Sequence, residues 1–407
     1  MSDLVRHAIF FTLIALATAH CVYWIALIAQ VWRTAAAVPT ARAGLALAKQ
    51  APPTGLVTVI VPAHNESAVI ADLVTSLRAQ THEHLHVVLA LDRCTDDTAD
   101  VARTAIAGDP RFEIIELSQS PGEWAGKVNA VWQGVQRSRY VPLSEYLLFA
   151  DADCTLDPSC IAATVALLED RKLGMLSLAS TLTHDTWFER LVQPAASFYL
   201  MSQHPLLRAN RQDARKRAFA NGQFMLFTRD AYRSLGGHAA VSTELLEDLA
   251  LARLMKDREM PQGVLVSDGM VTCRMYATWA EFCRGWRRIF IEGAKRRPDR
   301  LRRQALRCQL AYAVLPASTV ALAGAASFLV TGAGATLGTS LGVAGVAIWL
   351  FGAGWIYRMG RSPLWLVPGF VVGAWLVGGI LRRAGRDLAR GKAVEWAGRS
   401  YVREVRD

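Results

Sequence analysis

Along the chain, apolar and polar positions follow two different rhythms. From His7 to Trp32 (HAIFFTLIALATAHCVYWIALIAQVW) there is no Asp, Glu, Lys or Arg, and the run exceeds the roughly 20 apolar residues that cross a bilayer core. It is too long for the apolar part of a signal peptide and no clear A-x-A site follows it, so a retained transmembrane helix is expected. Uniform apolarity returns in Gln309–Val330, Leu341–Tyr357 and Leu364–Leu381, where dense glycine and alanine suit close helix packing in lipid. From Gly55 the rhythm is different. LVTVIVP, HVVLALD, FEIIEL, YLLFAD and MLSLAS are short β-rich runs, with helical patterns such as SAVIADLVTSLRAQ and DDTADVARTAIA between them. This alternation predicts an α/β domain, a mostly parallel sheet with helices on both faces. Ligands of such sheets bind beyond the C-terminal strand ends.

The pattern divides the chain into an N-terminal membrane helix (1–33), an Ala/Pro-rich linker (34–54), the α/β domain (55–278), a basic amphipathic helix on the membrane surface (279–308), a membrane block (309–381) and a basic tail (382–407). Arg33, Arg42 and Lys49 follow the first helix and only Arg6 precedes it, so the positive-inside bias puts the N-terminus outside and the domain in the cytoplasm. In the membrane block the uncharged TGAGATLGTS reads as an outside turn, and Arg358 with Arg361 as an inside one. A spanning third segment would then carry Arg382, Arg383, Arg386, Arg390 and Lys392 to the outside. A re-entrant or interfacial third segment keeps the tail cytoplasmic and is the expectation. A multi-pass protein of the cell's inner (plasma) membrane is implied.

Lys and Arg outnumber Asp and Glu by 45 to 35. The basic residues crowd Arg284–Arg303 and Arg382–Arg403, beside the apolar runs, where anionic lipid headgroups account for them. No nucleic-acid-binding motif is present, so nucleic acid is not an expected partner. The 7 cysteines lack C-x-x-C spacing and read as reduced core residues.

Acidic residues gather where the sheet rule puts ligands. Pro62-Ala-His-Asn65-Glu66 follows the first strand, Asp92-Arg-Cys-Thr-Asp96-Asp97 the second, and Asp151-Ala-Asp153 the fourth. Helix capping accounts for Asn65 or Ser67, Thr95 or Asp96, and Asp157, but it does not call for Glu66, Asp92, Asp151 and Asp153. In an extended segment Asp151 and Asp153 point the same way. Two such carboxylates tolerate each other around Mg²⁺ or Mn²⁺, which fills its remaining shell with phosphate oxygens and water.

VPAHNE, LDRCTDDT, WAGKVNAVWQG, ADAD, FANGQFMLFTRDAYRSLGGH and LLEDLALA follow in order between about Val57 and Lys295. On these motifs the chain resembles a family 2 glycosyltransferase of the GT-A fold, Rossmann-like and inverting, with a nucleotide-sugar donor. It is most similar to membrane-bound members that glycosylate hopanoid, carotenoid or ceramide-type lipids. The resemblance implies that Pro62, Glu66 and Asp92 surround the nucleotide base and ribose, and that Lys127 lies near the nucleotide. Asp151 and Asp153 would form the metal-binding D-x-D, Asp153 as direct ligand and Asp151 on metal or ribose. Leu91 stands where members often carry a second acid beside Asp92. Glu247-Asp248 matches the acidic pair that supplies the catalytic base. Helix neighbours diverge by about 100°, so one of them faces the acceptor, and the resemblance selects Asp248. Glu247, Gly222, Gln223 and His238 are placed around the acceptor. Capping of the helix start is the alternative account of the two acids.

Arg287 is expected on the donor diphosphate or a lipid headgroup. Processive members carry Gln-x-x-Arg-Trp near here, whereas this chain has Arg284-Gly-Trp286-Arg287-Arg288, which speaks against polysaccharide synthesis. WFERLVQPAASFYLMSQHPLL (Trp187–Leu207) reads equally as core packing or as a lipid-facing acceptor channel. His184 and His204 read as structural. Trp396-Ala-Gly-Arg399-Ser-Tyr401 resembles the ending of related lipid glycosyltransferases and implies a tail near the active site. Together the residues imply a membrane-anchored, metal-dependent enzyme moving a sugar from a nucleotide, UDP by expectation, to a lipid hydroxyl on the cytoplasmic face. The alternatives are a processive polysaccharide synthase and a non-catalytic scaffold or glycolipid transporter. Against transport, Gln309–Leu381 holds no Asp, Glu or Lys to couple an ion.

Overall fold

The computed structural model describes residues 2–211, 218–396 and 399–401. Its centre is a sheet of order β3-β2-β1-β4-β8-β6-β9. The strands are β1 (Val57–Ala63), β2 (Leu85–Asp92), β3 (Phe112–Leu117), β4 (Tyr146–Ala150), β6 (Met175–Ala179), β8 (Phe224–Thr228) and β9 (Gln262–Val266). A small second sheet joins β5 (Cys154–Leu156), β10 (Val271–Cys273) and β7 (Thr181–Leu182). β1, β2 and β4 are buried on both faces, which is why they read as apolar runs without alternation. Pairing is parallel for β1–β2, β1–β4, β2–β3 and β6–β9. Within the central sheet only β8 runs against its neighbours, β4 and β6. The fold is the α/β GT-A arrangement, and β8 and β9 are the strands of this sheet that periodicity did not single out.

Of the span 34–54, part is helical. The first helix continues to Ala37, and Ala43–Gln50 packs on Cys160–Asp170 so closely that a Cβ at Gly44 would stand 2.0 Å from Ala163 O. The basic region 279–308 is two helices, Trp279–Gly293 and Pro298–Gln309, parted where Lys295 and Arg296 take positive φ of 57° and 59°.

Among the described residues, four helices are long and apolar enough to cross a membrane: Asp3–Ala37, Pro298–Leu329, Ala333–Met359 and Leu364–Ala389. Three of them pack as a bundle through glycines of Ala333–Met359. Gly338 lies against Phe10 and Ala326, Gly345 against Thr319, and Gly352 against Trp24 and Ile28. This order makes Ala333–Met359 parallel to Asp3–Ala37 and antiparallel to Leu315–Leu329. Phe370–Ala389 takes another course, back along Pro298–Gln309. Gly378 rests on Gln309, Gly385 lies beside Leu301, and Cys308 Sγ reaches Ala374 O at 3.5 Å. The segment expected as re-entrant or interfacial is a continuous helix on the domain side of the bundle. Strands Val394–Trp396 and Arg399–Tyr401 follow it as a hairpin; Ala397 and Gly398 of the tail motif lie outside the described residues.

Close approach carries the bundle, because lipid supplies no hydrophobic drive between helices. A Cβ at Gly342 would stand 2.4 Å from Ala323 N, whereas one at Gly354 would meet nothing within 4 Å. Gly342→Ala is therefore expected to lower the thermal midpoint in detergent, by an overpacking cost of about 1–3 kcal/mol. Gly354→Ala is expected to leave it unchanged or raise it slightly through helix propensity.

Candidate active site

The site is built around one lysine. Helix Gly126–Arg137 begins at the edge where β1, β2 and β4 end, and its second residue, Lys127, reaches between two acids distant in sequence. Its Nζ lies 2.7 Å from Asp151 Oδ1 and 2.6 Å from Glu247 Oε1. Gly222 makes room for this cluster, since a Cβ there would stand 3.1 Å from Glu247 Oε1 and 3.2 Å from Lys127 Nζ. The Gly222 N–H donates to Asp248 Oδ2 at 2.9 Å and the Leu249 N–H to Asp248 Oδ1 at 2.6 Å.

Electrostatics separate the two acids at the start of helix Glu247–Asp257. Burial works against the Glu247 charge, but Lys127 outweighs it and holds this carboxyl below its ordinary range. Asp248 is pushed up to about 6 by burial and then by the charge of Glu247. Glu247 is thus a fixed anion, while Asp248 can exchange a proton near neutral pH. Burial also opposes the Lys127 charge, yet Asp151 and Glu247 together hold it well above the ordinary lysine range.

Asp151 and Asp153 do not continue a strand. β4 stops at Ala150, and the pair sits in a turn into β5 closed by the Cys154 N–H on the Asp151 carbonyl at 3.3 Å. Burial and then Asp151 push Asp153 up to about 7, and burial with Asp153, Asp151 and Asp96 pushes Glu66 up to about 8. A divalent cation relieves such crowded negative charge, and carboxylate oxygens suit Mg²⁺ or Mn²⁺. The thiols of Cys154 and Cys273 also lie near Asp153. However, burial keeps Cys273 well above its ordinary range, and its Sγ already accepts from Gln223 Nε2 at 2.9 Å. The residues therefore fit a hard cation rather than a soft one.

Pro62, Glu66 and Asp92 lie at the ends of β1 and β2. Arg93 forks onto Asp92 with contacts of 2.9 and 2.7 Å, and Gly126 packs on both side chains. Asp96 takes the Ser67 and Thr98 N–H groups and so ties the two strand-end loops. Capping explains Asp96 and leaves the remaining acids to chemistry.

Beside this cluster opens a cavity of about 940 Å³. Lys127, Asp151, Asp153, Gly222, Gln223, Glu247 and Asp248 form one end of it, and the first membrane helix forms the other. Helix Gln193–Gln203 supplies a side wall, so the Trp187–Leu207 stretch both packs and lines. Among the expected site residues, Pro62, Glu66, Asp92, His238 and Arg287 do not line this cavity. Arg287 turns away to Asp387 at 2.7 Å, and its neighbour Arg288 lines the cavity, close enough for its charge to act on Asp151 and Tyr276. The 100° step that separates Glu247 from Asp248 separates these arginines too, and that signal was available in the sequence. His238 is buried against Phe149 with its Nδ1 2.9 Å from the Tyr232 hydroxyl, and burial pushes it down to about 4, so it is neutral.

A family profile described as "Glycosyltransferase like family 2" matches residues 52–312. Among curated proteins, the 4,4'-diaponeurosporenoate glycosyltransferase of Staphylococcus aureus strain MRSA252 is 28% identical over 243 residues. That match covers 58% of this chain and 61% of the relative, less than two thirds of its length. Among solved structures, a mannosyltransferase from Pyrobaculum calidifontis in complex with GDP-Man and Mn²⁺ aligns over 92% of this chain and 99% of its own, at 18% identity and a TM-score of 0.46. Glucosyl-3-phosphoglycerate synthase from Mycobacterium tuberculosis with Mg²⁺ and UDP aligns over 63% and 83%, at 18% identity and a TM-score of 0.38. The matched profile spans the sheet, the Lys127 cluster and the helix that carries Asp248, and by it the chain belongs to glycosyltransferase family 2.

Proposed function

We propose that the protein is an inverting glycosyltransferase that moves a sugar from a UDP-linked donor to a lipid hydroxyl on the cytoplasmic face of the plasma membrane. One observation carries this reading: a single cavity runs from the acids around Lys127 to the wall of a membrane helix. An acceptor that belongs to the bilayer can therefore bring its hydroxyl to Asp248 without leaving the lipid.

In this mechanism the acceptor oxygen attacks the anomeric carbon opposite the leaving group. The new carbon–oxygen bond forms as the bond to the diphosphate breaks, the nucleoside diphosphate departs with the electron pair, and Asp248 takes the hydroxyl proton. Its two backbone N–H contacts aim the carboxylate. Asp153, with Asp151 beside it, would hold Mg²⁺ or Mn²⁺, which when bound stabilises charge on the departing diphosphate. Pro62, Glu66 and Asp92, at the ends of β1 and β2, would receive the base and ribose. Arg288 takes the diphosphate role first given to Arg287, since it lines the cavity and Arg287 pairs with Asp387 instead.

Purified full-length protein with labelled UDP-sugars and a membrane lipid extract tests this. Asp248→Asn is expected to lose transfer by about 10²–10⁴-fold, and a near-wild-type rate would remove the base assignment. Transfer should require Mg²⁺ or Mn²⁺ and fail in Asp153→Ala; metal-independent turnover overturns the metal site. A ladder of long products would favour a processive synthase. The base works deprotonated, so the rate should rise with pH through about 6 and level off above it. Glu247→Gln removes the anion that raises Asp248, and the acid limb should move to lower pH. Arg288→Ala should raise the donor KM severalfold, while Arg287→Ala should not.

A further inference from the structure

The membrane end of the cavity has its own construction. Tyr23, Leu27, Val31 and Thr34 recur at helical spacing on Asp3–Ala37 and all face the cavity. Above them the bundle is closed, with the Tyr23 hydroxyl 3.0 Å from that of Tyr312 and Trp24 Nε1 3.3 Å from Ala311 O. Below that closure the helices part. Gln30 on one side and Leu310 on the other line the cavity while remaining exposed, Leu310 at 45%. The gap lies at the domain-side end of the bundle, next to the π-helical turn Leu310–Val314. Extra turns of that kind recur at functional sites.

Between this mouth and the acids, the wall carries two buried polar groups that make no hydrogen bond among the described residues. They are Trp286 Nε1 (residue 2% exposed) and Tyr199 Oη (3% exposed), and both side chains line the cavity. Buried polar atoms are nearly always bonded in native proteins, so such a pair marks a place where a ligand completes the set. An indole N–H only donates, and a phenol both donates and accepts. Their match is an oxygen-rich, uncharged group.

We infer that this end of the cavity is a lateral acceptor channel. The apolar body of a bilayer lipid enters between the first membrane helix and the Pro298–Leu329 helix, and its neutral oxygenated head is held by Trp286 and Tyr199 on the way to Asp248. The inference rests on the glycosyltransferase reading for the role of the channel, but the channel itself can be tested without turnover.

The probe is hexadecanol bearing a chain-end diazirine, photolysed with the full-length protein in detergent and mapped by mass spectrometry. Labelling should concentrate on residues 23–34 and fall at least about tenfold in Leu27→Trp, which plugs the channel. Val22→Trp, on the 65% exposed outer face, should label as the wild type does. Transfer to the lipid extract should fall in parallel in Leu27→Trp with the donor KM unchanged. Tyr199→Phe and Trp286→Phe should raise the lipid acceptor KM severalfold, again without moving the donor KM. Undiminished labelling, or wild-type transfer in Leu27→Trp, overturns the channel. Labelling in the expected pattern without sugar transfer by the wild type supports the channel and overturns the reaction.

Discussion

One half-buried cation holds the candidate active site together. Lys127 meets Asp151 from the β4 edge and Glu247 from a helix far along the chain, and both sides of the chemistry are positioned through it. On one side it fixes the turn that presents Asp153. On the other it holds the negative charge of Glu247, which adds to burial in raising the proton affinity of Asp248. Breaking a fully buried ion pair by removing one partner costs about 3–5 kcal/mol, and this half-buried cluster stands below that because solvent screens part of it. The cost enforces geometry: the acids cannot drift apart without leaving a charge stranded. Gly222 is part of the same constraint, because any side chain there would push into the cluster.

Much of this was legible along the chain. β1, β2, β3, β4 and β6 announced themselves as short β-rich runs, and β1, β2 and β4 also by the acids that follow them, since strands buried on both faces must be apolar and ligands gather past their ends. The membrane helices were visible because no charge interrupts them. What escaped notice was set by tertiary contact. β8 is a strand because two neighbours accept it, and its own composition does not distinguish it. The bond from Lys127 to Glu247 joins motifs that share no local pattern. Asp151 and Asp153 face one space through a turn, a different geometry from the extended pair that the spacing suggested. Arg288, rather than Arg287, faces the cavity because of helix rotation.

Domain and membrane are built as one body. Asp268 receives Arg42, which follows the first membrane helix, and Arg361, which follows the Ala333–Met359 helix. Helix Ala43–Gln50 locks onto the domain at Gly44, and Trp24 in the bundle lies in the same apolar cluster as Trp286 beside the site. A cavity shared by both parts needs walls that keep their spacing, and these contacts provide it. Removing the helices would take away one wall of the site along with the anchor.

The Phe370–Ala389 helix folds back along Pro298–Gln309, and its Asp387 receives Arg287 of the Trp279–Gly293 helix at 2.7 Å. The two partners of that ion pair stand 100 positions apart in the chain. The apolar helices between them therefore form a loop fastened at both ends to the same surface helix, and neither end of that loop is free to swing away from the catalytic domain.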